Sequence, residues 1–138
     1  MSLREKSAWI TVVTVLLCFG GYFGPVLAGW VMARGLGAIY LLAHSVLALV
    51  VLQVGLNIWA VRTTPRDGRA PRDEREAAIQ ARSHTVGYYV LLVSVLSLFP
   101  AAHFGHPVPE LMNFLLFDVV AAVLAVAVAQ IIMFRRGL

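Results

Sequence analysis

Asp118 and His44 are the residues in this chain whose chemistry and setting stand out. Leu111 to Phe134 carries Asp118 as its one charged residue, and Gly35 to Val61 carries no Asp, Glu, Lys or Arg around His44. A carboxylate in such a run is paired, protonated or set against a wet cavity. An imidazole and a carboxylate at one depth could hold a proton between them, bind a ligand, or simply satisfy each other as buried polar groups. His103, His106 and Glu110 follow in a Gly/Pro-rich stretch. Imidazole and carboxylate together suit a divalent metal such as zinc, though this spacing is a weak signal. A bis-His haem from His44 and His103 is a weaker alternative still. No cofactor is predicted.

The elements that must position these residues follow from the charge-free runs. Hydrophobic residues make up 60% of the 138 and charged residues only 13%. Soluble domains run at roughly 45–50% apolar and about 25% charged, so an ordinary soluble enzyme and a disordered chain are both poor fits. About 20 apolar residues cross a bilayer core as a helix. Four such spans are predicted, near 8–30, 37–61, 83–102 and 110–134, in a single membrane domain. Each must be helical, because lipid offers no partner for an unpaired backbone group. The expected fold is an all-α, integral membrane four-helix bundle.

The basic residues give direction. Arg4 and Lys6 precede span 1, six arginines lie between Arg62 and Arg82, and Arg135 and Arg136 follow span 4; only Arg34 lies on the other side. The excess of Lys and Arg on the cytoplasmic side predicts N-in/C-in topology and a cytoplasmic loop at 62–82. Trp9, Trp59, Tyr88 and Tyr89 then fall at the inner boundary, and Trp30 and Tyr40 at the outer one. The apolar run after Arg4 and Lys6 is too long for a signal peptide and lacks a small-x-small cleavage site, so span 1 is expected to be retained. The expected location is a bacterial cytoplasmic (inner) membrane.

In that topology spans 2 and 4 run the same way. Asp118 lies roughly 12 Å into its span at 1.5 Å per residue, and His44 sits at a similar depth, so a His44–Asp118 hydrogen bond is expected. Small residues recur every four positions as Gly20, Gly24 and Ala28 in span 1 and as Ala121, Ala125 and Ala129 in span 4. Such rows permit close helix approach, within one chain or between chains. Gln53 and Asn57, and Gln130 near their level, read as amides that link helices by hydrogen bonds. Pro25 is expected to bend span 1, and Pro100 to bend or end span 3.

Loop 62–82 divides in two. Thr63 to Pro71 is turn-forming. Asp73 to Arg82 is helix-forming, with Asp73, Glu74 and Glu76 in the acidic first turn a helix favours. Span 3 should therefore begin near residue 72, as a cytoplasmic helix. Arg75 and Arg82 are seven apart and share a face, which reads either as an anchor that orients span 3 or as a docking surface.

Asp73-Glu74-Arg75, Ile79, Arg82-Ser83 and Gly87-Tyr88-Tyr89 resemble a signature of small four-span membrane proteins of bacteria and archaea, an uncharacterised family. Arg4-Glu5-Lys6-Ser7-Ala8-Trp9 resembles the start of some members. Genes of this type often stand beside small helix-turn-helix regulators, so the resemblance implies a membrane partner that modulates a cytoplasmic regulator. It implies no catalytic residue.

No nucleophile elbow, HExxH pair or phosphate-binding glycine loop is present. The single Cys18 excludes an internal disulfide and a CxxC centre. The net charge of +4 is explained by topology, and direct nucleic-acid binding is not expected. The expected partners are the lipid bilayer and either a second copy of the chain or a membrane or cytoplasmic protein. The first functional expectation is a non-enzymatic membrane protein presenting Asp73, Glu74, Arg75 and Arg82 for docking. The second is a small transporter, channel or ligand sensor using His44 and Asp118.

Overall fold

The computed structural model describes residues 3–32, 35–65 and 74–136. It contains four helices and, among the described residues, no strand: α1 (Leu3–Leu27), α2 (Leu36–Thr63), α3 (Glu74–His103) and α4 (Val108–Arg136). At 1.5 Å per residue these are about 38–45 Å long, enough to exceed a hydrocarbon core of roughly 30 Å. All four are long and apolar enough to cross a membrane. The chain is a multi-pass, all-α membrane protein.

Packing orders the helices as a row rather than a closed square. The extensive contacts are α1 with α2, α1 with α4, and α3 with α4. Val15 and Phe19 of α1 meet Val120 of α4 at the centre, with Leu42 and Leu49 of α2 and Leu116 and Leu124 of α4 around them. Phe23 stacks edge-on against Phe117, ring centroids 5.8 Å apart. The polarity is that of a lipid-facing protein. Leu16, Leu17, Leu47, Val51, Val93 and Leu96 are exposed, whereas Thr14, Ser45, Ser83 and Asp118 are buried. In water such an apolar exterior would be an aggregation surface. In a bilayer it faces the solvent it matches.

The C-terminal ends of α1 and α3 close in the same way. Trp30 N–H donates to Pro25 O (3.0 Å) and Gly29 N–H to Val26 O (3.2 Å), with Gly29 at φ 74°. At the end of α3, His106 N–H donates to Ala101 O and Gly105 N–H to Ala102 O, with Gly105 at φ 81°. This is the Schellman pattern, which satisfies the last carbonyls of a helix and needs a left-handed residue, hence glycine. Pro25 and Pro100 both lie inside helices. Pro100 therefore does not end α3, which continues to His103.

Candidate functional site

The polar residues between the helices separate into two levels. At the level nearer the chain's N-terminus, side chains tie the four helices in two pairs, α1 with α2 and α3 with α4. Ser7 Oγ donates to Asn57 Oδ1 (2.7 Å), and Gln53 Nε2 donates to Thr11 Oγ1 (2.8 Å). Thr14 Oγ1 lies 2.6 Å from Gln53 Oε1. These bonds join α1 to α2. Gln130 Nε2 donates to Ser83 Oγ (3.2 Å), joining α4 to α3, and Ser83 Oγ donates to Gln80 O (2.8 Å). The interhelical amides expected at Gln53, Asn57 and Gln130 are thus in place, each with a hydroxyl partner on the neighbouring helix.

The helix ends beneath this layer are tied by charge. Arg4 of α1 forms an ion pair with Glu76 of α3. Glu5 and Arg135 approach to 3.6 Å, and the Arg135 guanidinium sits 5.4 Å from the centre of the Trp9 ring. Lys6 Nζ donates to Thr64 Oγ1 (3.1 Å) just beyond α2. Read as sequence, Arg4 is a topological charge and Glu76 a first-turn acid. Their spatial pairing across 72 residues has no local signal.

The second level holds Asp118. It is 7% exposed, and its Oδ2 atom has no hydrogen-bond partner among the described residues. His44 does not supply one. The His44 ring is exposed, and its Nδ1 donates to Tyr40 O (2.7 Å) within its own helix. The row of helices explains the separation. His44 belongs to α2, which packs on α1. Asp118 lies one turn from Ala122, the α4 residue whose carbonyl faces Gly87 of α3. Similar depth along the spans does not bring the two side chains together, because the exposed His44 ring bonds within its own helix while Asp118 is buried. Ser45, beside His44, is the buried polar residue of α2.

The remaining sites expected from sequence are distributed as follows. His106 Nδ1 and Glu110 Oε2 lie 3.0 Å apart, four residues apart and exposed, and His103 is also exposed. Among the described residues no three His, Cys, Asp or Glu side chains converge as metal ligands. Gly20 and Gly24 are exposed, and a Cβ on either would meet nothing within 4 Å. Ala28 is exposed beyond α1. Within the chain that row is not a contact surface. Ala121, Ala125 and Ala129 are half-buried, while Ala122 and Ala127 are buried. A close helix approach lies instead at Gly87, the first residue of the Gly-Tyr-Tyr motif. A Cβ there would collide with Val126 Cγ2 and lie 3.3 Å from Ala122 O.

For the motif before span 3, Asp73 lies outside the described residues. Glu74, Arg75 and Arg82 are exposed. Glu76, Ile79, Ser83 and Gly87 form the inward stripe of α3, three to four residues apart, and Ile79 and Ser83 are almost wholly buried. The chain matches no family model, and neither a curated protein nor a solved structure is similar to it.

Proposed function

We propose that this protein is a non-enzymatic component of the bacterial inner membrane, with both termini inside, that presents the N-terminal turns of α3 to a cytoplasmic protein. One observation carries this reading. α3 has 30 residues, about ten more than a bilayer core requires. The excess at its charged end is tied to α1 by the Arg4–Glu76 ion pair. A segment that merely oriented span 3 would gain nothing from being braced against α1. A braced helix with Arg75 and Arg82 exposed is a preorganised surface, which lowers the entropy lost when a partner docks. The resemblance to four-span proteins encoded beside small regulators supports a regulator as that partner. A photo-reactive residue at the exposed Ala78, between Arg75 and Arg82, tests it: crosslinking to a cytoplasmic protein is expected, and crosslinking to lipid alone opposes the reading.

A second reading rests on Asp118. A membrane-buried carboxylate with an unpartnered oxygen is suited to taking a proton, a cation or a donor group from a ligand. In this arrangement Asp118 would act in a transporter, channel or sensor with α3 as its neighbour and without His44.

A further inference from the structure

A cavity of about 240 Å³ opens between the ends of α1, α3 and α4 that the charge pairs tie together. Its polar wall is built from Arg4, Ser7, Thr11, Glu76, Gln80 and Gln130. Ile79 and Phe134 supply an apolar wall. At about 30 Å³ per water, it has room for about eight waters, the size of a small metabolite or a lipid headgroup.

The charges of the wall decide what fits. Arg4 and Glu76 face the same space and are already paired with each other. A lone anion that drew Arg4 away would leave the Glu76 carboxylate half-buried without its partner, and a lone cation would strand Arg4. Breaking one side of such a pair is costly. A molecule that carries an anionic oxygen group and an ammonium a few ångströms apart satisfies both at once. The guanidinium takes the carboxylate or phosphate through two parallel N–H bonds, and the carboxylate takes the ammonium. Ser7 and Thr11 line the same space and keep acceptor lone pairs beyond their bonds to Asn57, Ser7 O and Gln53, and Ile79 and Phe134 can cover an apolar substituent. The geometry points to a binding site for a small zwitterion, inserted between Arg4 and Glu76. A free α-amino acid and a phosphatidylethanolamine headgroup share that chemistry.

The test uses the purified full-length chain in mild detergent and calorimetric titration with L-alanine, phosphoethanolamine, inorganic phosphate and ethanolamine. Saturable binding of alanine or phosphoethanolamine is expected, at least tenfold tighter than that of phosphate or ethanolamine alone. Arg4→Gln and Glu76→Gln should each weaken it tenfold or more, whereas Arg135→Gln, outside the cavity, should not. The source is read from nanodiscs. If phosphatidylethanolamine in the bilayer abolishes alanine binding, the headgroup is the occupant. If alanine binds equally in phosphatidylethanolamine and phosphatidylglycerol bilayers, the free amino acid is. Absence of saturable binding by both zwitterions, or equal binding of phosphate or ethanolamine, overturns the site without reliance on any variant. Binding unchanged in both Gln variants overturns it equally.

Discussion

Gly87 of α3 packs directly against Val126 of α4, at a separation that leaves no room for a Cβ. Val126 is β-branched and stiff in a helix, and the second neighbour, 3.3 Å away, is the Ala122 carbonyl oxygen of the α4 backbone. Neither can give way cheaply. Gly87→Ala should therefore lose about 1–3 kcal/mol to overpacking, against a gain of up to about 1 kcal/mol from helix propensity. In a Val126→Ala background the same change should be neutral or stabilising. Reversible unfolding in mixed micelles checks this reversal of sign; equal costs in both backgrounds would show that the helices do not meet there.

Gln53 makes a milder case. Its amide reaches both Thr11 and Thr14, and interhelical hydrogen bonds in membranes average about 0.6 kcal/mol each. Thr11 and Thr14 also reach carbonyls of their own helix, Ser7 O at 3.0 Å and Ile10 O at 2.7 Å, so Gln53→Leu strands neither hydroxyl. A loss of about 1 kcal/mol is expected in the same unfolding assay. A loss several times larger would mean that the amide holds more than these two bonds.

The Arg4–Glu76 pair ties the N-terminal end of α3 to α1. Arg4→Glu places like charges together and should speed amide exchange in residues 74–82 by tenfold or more, with little change in 108–136. The swap Arg4→Glu with Glu76→Arg should restore slow exchange. Hydrogen-exchange mass spectrometry reads both. Exchange that is fast in the native chain, or indifferent to these changes, would remove the brace on which the docking reading rests.

Asp118→Asn keeps the shape and removes the titrating group. If Asp118 is a proton site, the native protein should show an infrared carboxyl band that moves with deuteration and changes with pH, and the variant should lack it. His44→Ala should leave that band unaltered, because the imidazole is bonded to Tyr40 O in its own helix. A band that shifts in His44→Ala would restore the pairing of the two residues.

The helices were readable because their signal is local and repeated. Runs such as Gly35 to Val61 leave no alternative to a span, and the amides Gln53, Asn57 and Gln130 announce themselves by their cost in lipid. Facing relationships were not readable. Depth along a span comes from counting residues, but which helix lies across from Asp118 depends on the order α2–α1–α4–α3, which charge and hydropathy do not encode. For the same reason, glycine spacing pointed to Gly20 and Gly24, whereas the close approach falls at Gly87, a single glycine whose partner surface is Ala122 and Val126 on another helix. Arg4 and Glu76 each had an adequate local explanation, which hid their pairing.

The most direct measurement is co-purification from native membranes in mild detergent, comparing the native chain with an Arg75→Ala, Arg82→Ala double variant by quantitative mass spectrometry. The account predicts a stoichiometric cytoplasmic protein with the native chain, reduced at least tenfold with the variant while the unfolding behaviour of the four helices is unchanged. The same proteins in the same amounts with both chains would contradict it.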